Sequence, residues 1–251
     1  MDRFIAYFDI LGFKGFIDNN DKPHVDRYFS HIFRESQSAL SGGRLIDGPP
    51  GVVVPDVAQG RVNCMHISDS IIFWSIDNSE ESFIDLVNVC YEFYWRCMQA
   101  SFPIRGCMIL GDIEFAPFTI PAANGATFYN SSMYGKGIID AYLKGENQDW
   151  AGGYVDRSAI NAVNPQTVQQ LINEGKLILH PVPIKGQAPV EEHAFCIIQS
   201  GLNDIAYSNM VRSIENTFHR HLNGNDLHPS VQRKLDNTIV FLDRFRETPA
   251  E

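Results

Sequence analysis

The stretch AYFDILGFKGF, residues 6–16, constrains the fold more than any other part of the chain. An apolar run from Phe4 to Phe8 leads directly into Asp9, and Gly12 and Gly15 then bracket Phe13 and Lys14. Residues 3–10 have the pattern of a buried strand. Such a strand needs a substantial core around it, and its terminal carboxylate must stand at the rim of that core. The 251 residues, 44% of them hydrophobic, are enough to form it as one large domain or one domain with an appendage.

The remaining elements follow from periodicity and punctuation. VDRYFSHIFRESQSAL, from Val25, spaces Tyr28, Phe29, Ile32 and Phe33 at helical intervals. Residues 41–60 are rich in Gly and Pro and read as a long loop. VNCMHI and SIIFWS are two strands around a tight turn at Ser68–Asp69. Ser79 is placed to cap a helix whose apolar face is Phe83, Leu86, Val87, Cys90, Phe93, Tyr94 and Cys97, with Pro103 as its stop. IRGCMIL is a strand, Gly111–Asp112 a turn into IEFAPF, and 135–146 a short helix. GGYVD is a strand leading to the helix NPQTVQQLINEG, 177–198 are strands, and 203–246 hold two helical segments separated by Asn223–Gly224 and Pro229. Strand, helix, hairpin, helix, strand is a split βαβ arrangement, which predicts an α+β, ferredoxin-like antiparallel sheet with helices on one face. Residues 1–200 are expected to form the main domain and 201–251 a C-terminal helical extension.

That arrangement brings the end of the first strand beside the turn of the central hairpin, and so Asp9 beside Asp69. Two neighbouring carboxylates repel unless a positive charge lies between them. A divalent cation meets that need, because Mg²⁺ and Mn²⁺ accept carboxylates and backbone carbonyls, and the carbonyl of Ile10 adjoins Asp9. The LGFKGF turn presents backbone N–H groups where a helix begins, and Lys14 adds a point charge; both favour phosphate oxygens. Read singly, Asp9 is more simply a helix cap and Asp69 a turn residue. Together with the glycine turn they are the equipment of phosphoryl transfer.

Four segments, in order over residues 4–146, resemble the class III adenylyl and guanylyl cyclases, the universal nucleotidyl cyclases. AYFDILGFKGF resembles their first metal segment, and MHISDSIIFW their second, with Ser68 in place of the usual glycine. IRGCMILGDI resembles their Arg-x-Gly-x-x-x-Gly strand, and GKGIIDAYLKGE their Gly-x-x-x-Asn-x-Ala-x-Arg helix. In that last segment Ile139 and Leu143 fall where the family has the Asn and Arg that orient the ribose and stabilise the transition state. Met65 falls where a base-reading Lys is usual, so purine recognition is not supported. The short stand-alone chain with ILGFK and SDS is similar to the bacterial pyrimidine cyclases of the Pycsar anti-phage systems.

The resemblance implies conversion of UTP to cyclic UMP and pyrophosphate, with CTP to cyclic CMP, a diverged purine cyclase and a degenerate nucleotide-binding domain as alternatives. It implies two Mn²⁺ (or Mg²⁺) ions per site on Asp9, Ile10 and Asp69. Substrate contacts would come from Gly12, Phe13, Lys14, Gly15, Met65 and Arg105. Arg105 would face the base or a phosphate, or else serve as a salt-bridge partner. A head-to-tail homodimer with interfacial sites is implied, and the product would activate a separate effector that is not stably bound.

Composition limits the partners. Lys and Arg total 20 against 30 Asp and Glu, a formal net charge of −10, which disfavours nucleic-acid binding. The start MDRFIAYF has no basic leader, and no apolar run approaches the ~20 residues that cross a bilayer, so a cytoplasmic protein away from membranes is expected. None of the five cysteines forms a CxxC pair, and they are read as buried thiols. His219 and His221 are two apart and cannot share a helix face, so they are not read as a metal pair. Tyr91, Phe93, Tyr94 and Trp95 are read as core, and Asp140 and Glu146 as solvated helix charges.

Overall fold

Residues 4–8 are buried on both of their faces, and this sets the layering of the molecule. The structure is a computed structural model describing residues 2–198, 201–219 and 226–247. The elements in chain order are β1 (Asp2–Ile10), α1 (Phe13–Asn19), α2 (Lys22–Ser41), β2 (Leu45–Asp47), β3 (Val53–Pro55), β4 (Val62–Ile67) and β5 (Ser70–Ser75). There follow α3 (Glu80–Gln99), β6 (Ile104–Asp112), β7 (Glu114–Pro121), β8 (Thr127–Tyr134), α4 (Lys136–Glu146), β9 (Gly153–Val155), α5 (Arg157–Ile160) and α6 (Pro165–Asn173). Last come β10 (Leu177–Val182), β11 (Val190–Phe195), α7 (Asp204–His219) and α8 (Pro229–Leu242).

The main sheet runs β10-β11-β9-β6-β1-β5-β4. Its β6-β1-β5-β4 part is wholly antiparallel and has the ferredoxin-like order expected from the sequence. β9 joins β6 in parallel and extends the sheet on that side.

The pleat divides β1 between two layers. Phe4 and Phe8 point to α3, where Phe4 meets Phe83 and Phe8 meets Phe93 at ring-centroid distances of 5.3 and 5.5 Å. Ile5, Tyr7 and Asp9 point to the other face, which α4 covers; Tyr7 packs edge-on to Tyr142 at 5.4 Å. The expectation of helices on one face is therefore corrected. A strand covered on both faces must be apolar at consecutive positions, and FIAYF is. Each fully buried aromatic here contributes on the order of 2–3 kcal/mol of transfer free energy.

Three local readings change. Gly111–Asp112 is not a turn, because β6 runs through both residues. The Asp112 carboxylate instead accepts from the backbone N–H groups of Lys136 and Gly137, both at 3.1 Å, and so caps α4 across the sheet. Gly111 and Gly137 let helix and strand touch: a Cβ on Gly137 would lie 2.6 Å from the Asp112 carbonyl oxygen. Residues 41–60 are not all loop, since β2 and β3 pair there. IEFAPF is half of a hairpin in which β7 pairs with β8. That hairpin carries Phe118, Ile120, Phe128 and Tyr129 in exposed positions.

α3 begins at the cap the sequence offered, with Ser79 Oγ accepting from the Ser82 N–H. Its Tyr91, Phe93 and Tyr94 are core, as read. Cys90, Cys97, Cys107 and Cys196 are buried and reduced, and Cys64 is half-buried. In the C-terminal pair, Phe241 of α8 packs against Trp150 and His180, and Thr238 Oγ1 accepts from the Ala151 N–H at 2.8 Å. His221 and Asn223–Gly224 lie outside the described residues.

Candidate active site

The β1 strand delivers Asp9 to the rim of the sheet on the α4 face, where Asp9 remains only 9% exposed. It belongs to the strand and caps no helix. The hairpin turn joins it there. The Ile10 N–H donates to the Asp69 carbonyl at 3.2 Å, which fixes the β4–β5 turn beside the end of β1. Ser68 has φ 56°, a left-handed conformation that favours glycine. This gives a physical reason for a glycine at that place in the resembling family. Asp69 is half-buried, and Asp9 is buried next to it.

Arg105 completes the cluster, and it arrives by register. Asp9 and Arg105 are directly opposed in the β1–β6 ladder. The Arg105 Nη2 donates to Asp9 Oδ2 at 3.1 Å and also to the Glu146 carboxylate, while Nη1 donates to the Glu146 carbonyl at 3.1 Å. Of the roles open to Arg105, the structure shows the salt bridge, and shows it on the aspartate itself. Glu146, read from sequence as a solvated charge, instead holds Arg105 from the end of α4; Asp140 is exposed as expected.

Burial is the main cause that lifts the Asp9 carboxyl from 3.8 to about 7; Arg105 opposes it, and the charges of Asp69 and Glu146 reinforce it. Burial likewise pushes the Tyr7 hydroxyl up to about 12, helped by Asp9, Asp69 and Glu146, while it is hydrogen-bonded to Ser70 Oγ at 2.6 Å. One guanidinium thus leaves the acidic rim short of positive charge.

Gly12 sits in the left-handed region at φ 76° and is the N-cap of α1, so the strand turns sharply into that helix. Phe13 packs against Phe29 at 5.5 Å. Lys14 is exposed, and Gly15 faces the same side as Gly12. Met65 shares the Asp9 face of the sheet, but it lies in the row Cys107–Tyr7–Ile72–Met65, one step along from Arg105–Asp9–Ser70–Ile67. It is also two strands away from Asp9, so one chain does not bring Met65 to Arg105.

Among the described residues no three His, Cys, Asp or Glu side chains cluster as a metal-ligand set. The donors at the rim are two carboxylates and the Ile10 carbonyl. All are hard oxygens, and they fit Mg²⁺ or Mn²⁺ with further positions left to water and phosphate. Burial chiefly, and the Asp69 charge after it, raise the proton affinity of Asp9, and a divalent cation at the rim would offset both.

The fold these elements define is that of the class III nucleotidyl cyclase catalytic domain. The dimeric guanylyl cyclase domain of the RhoGC fusion protein from the aquatic fungus Blastocladiella emersonii matches with a TM-score of 0.50 and 11% identity, covering 77% of this chain and 95% of that one. The adenylyl cyclase CyaB from P. aeruginosa aligns over 78% of this chain and 94% of its own, at 12% identity and a TM-score of 0.49. The guanylate cyclase domain of RhGC from Catenaria anguillulae, solved with GTP, aligns over 77% and 95%, at 11% identity and 0.48. No protein-family model and no curated protein sequence matches the chain. No helix among the described residues is long and apolar enough to cross a membrane.

Sequence reasoning missed Lys185, between β10 and β11, and Lys234, on α8. Both line a cavity with Gly12, Gly15 and Arg105. Neither carries a local signal, because what places them is how the late elements pack on the early ones.

Proposed function

We propose that the protein is a nucleotidyl cyclase that converts UTP to 3′,5′-cyclic UMP and pyrophosphate. The observation that carries this reading is the meeting of Asp9 and Asp69 at one rim, within a cyclase-type sheet and beside a glycine turn. Asp9, Asp69 and the Ile10 carbonyl would hold two divalent cations, Mn²⁺ or Mg²⁺. Such ions, when bound, lower the pKa of the ribose 3′-hydroxyl and neutralise charge on the triphosphate. Arg105 and Glu146 keep the Asp9 carboxylate aimed at the rim. Gly12, Phe13, Lys14 and Gly15 form the wall along which the β- and γ-phosphates lie. In the reaction the 3′-oxygen forms a bond to the α-phosphorus as the α–β bridging bond breaks; the hydroxyl proton passes to water and pyrophosphate leaves.

Residues 1–200 are the catalytic domain in this reading, and 201–251 an extension. A homodimer completes the site, with Met65 reading the base in the partner's site. Exposed Ile67, Ile139, Tyr142 and Leu143 offer apolar surface on the Asp9 face for that pairing. The choice of a pyrimidine, the cytoplasmic setting and a second-messenger role in anti-phage defence rest on the sequence resemblance. Ile139 and Leu143, exposed where the family has Asn and Arg, favour one competing reading, a domain that binds nucleotide without turnover.

The test is incubation with each of the four NTPs and Mn²⁺, with products identified by mass spectrometry. Cyclic UMP is expected. Cyclic CMP alone would move the substrate to CTP, and nucleotide binding with no cyclic product from any NTP would establish the binding-only reading.

A further inference from the structure

A cavity of about 230 Å³ lies at the far end of the β4–β5 hairpin from the candidate active site. Ile67 pairs with Ser70 beside Asp69, whereas Val62, on the cavity wall, pairs with Ser75. Val62 and Ile67 stand at opposite ends of β4, roughly 17 Å apart. The last turn of α2, the start of β4 and one face of α3 line the cavity, and the segment between α2 and β2 brings in Arg44. Asp85, Asn88 and Glu92 follow one another at helical spacing and so share that face of α3.

The polar groups around it are unevenly used. Arg61 is fully engaged, with Nε on Asp85 at 2.8 Å and Nη2 on Glu81 at 3.0 Å. The Arg44 side chain has no hydrogen bond or ion pair among the described residues. Its backbone is held, since the Arg44 carbonyl accepts from the Asp56 N–H at 2.9 Å. Glu92 Oε2 accepts from Trp95 Nε1 and Arg96 Nε, both at 3.1 Å, which leaves Oε1 without a donor among the described residues. Asn88 Oδ1 is buried with no hydrogen-bond partner, a costly state unless a donor reaches it. The C-terminal end of α2 adds a preference for positive charge. One cation without an anion and two acceptors without a donor thus border the same space. A carboxylate fits the first, because a guanidinium grips it through two parallel N–H groups. An ammonium fits the second, because it has three donors and no acceptor. A simple anion would leave Asn88 unmet and face Asp85 and Glu92, and a simple cation would leave Arg44 unmet.

We propose that this cavity binds a free amino acid, with its carboxylate on Arg44 and its ammonium donating to Asn88 Oδ1 and Glu92 Oε1. An α-amino acid carries both groups on one carbon, so a small cavity can engage the two together. The cavity shares no residue with the candidate active site, so this ligand is other than the nucleotide, and the assignment does not depend on the cyclase reading.

The probes are the standard L-amino acids, taken one at a time, screened by the thermal midpoint of the full chain and then titrated calorimetrically. At least one should raise the midpoint and bind. Acetate and methylamine, which carry only one of the two groups, should bind at least about tenfold more weakly. Arg44→Gln and Glu92→Gln should each weaken amino-acid binding about tenfold, the loss typical of one charge-assisted contact. Arg212→Gln, exposed on α7, should change nothing. Far-UV circular dichroism on each variant confirms that the fold is retained; if Glu92→Gln unfolds by releasing Trp95 and Arg96, the exposed Arg44→Gln decides. Absence of wild-type binding to every amino acid overturns the proposal. So does full affinity in Arg44→Gln, a loss that Arg212→Gln matches, or acetate binding as tightly as the amino acid. Because no turnover is involved, the cyclase reading is judged separately, by the nucleotide products.

Discussion

Replacing Asp9 with Asn should make the metal-free protein more stable at neutral pH, although the side chain sits at the heart of the candidate site. The sign follows from the direction of the shift. Folding raises the Asp9 pKa from 3.8 to about 7, so between those values the native state holds a proton that the unfolded chain releases. Stability from this group is therefore fully present below pH ~4 and falls as pH rises, until it is gone above pH ~7. A shift from 3.8 to about 7 corresponds to at most ~4 kcal/mol in all, of which more than half is lost between pH 5 and pH 8. Asn keeps an acceptor for the Arg105 Nη2 and removes the charge. Urea unfolding of wild type and Asp9→Asn at pH 5 and pH 8, in EDTA, isolates the effect, since other titrating groups cancel in the double difference. The variant should gain ~2 kcal/mol on wild type between the two pH values, and Mn²⁺ at pH 8 should return that stability to wild type only. Parallel pH profiles for the two proteins would refute the reasoning.

Other outcomes follow from single residues. Ser68→Gly should stabilise the protein by up to ~1 kcal/mol by relieving the left-handed serine at φ 56°, read from the thermal midpoint. Gly137→Ala should cost ~1–3 kcal/mol, because its Cβ would meet the Asp112 carbonyl at 2.6 Å; urea unfolding measures it. Ile139→Lys, on the exposed apolar face of α4, should leave the monomer fold intact and shift sedimentation velocity toward monomer. Glu146→Gln should lower turnover about tenfold, by loosening Arg105 and through it Asp9, with the fold unchanged by circular dichroism.

The core of the fold was legible because short-range rules decide it. FIAYFD announces a strand that is buried and then ends, SDS announces a tight hairpin, and Ser79 with the apolar positions from Phe83 to Cys97 announces a capped amphipathic helix. The second layer was signalled too, by the uninterrupted apolar run of β1, yet nothing local says which helix covers which face. Asp112 shows the same limit: the GD pair resembles a turn, and only the return of α4 across 24 residues makes it a cap. At the site, the meeting of Asp9 and Asp69 came from topology, which sequence order conveys. The pairing of Arg105 with Asp9 depends on ladder register over 96 residues, and Lys185 and Lys234 depend on how the C-terminal helices dock. None of these leaves a periodicity or a motif behind.

The measurement closest to the central claim is Mn²⁺ binding, followed by electron paramagnetic resonance with a non-hydrolysable UTP analogue present, in wild type, Asp9→Ala and Asp69→Ala. Wild type should bind two ions per site, and each substitution should reduce occupancy while the far-UV spectrum stays native; with UTP in place of the analogue, each should abolish cyclic product. Full Mn²⁺ occupancy in either variant would contradict the account, since it would mean that these two carboxylates do not share the ions.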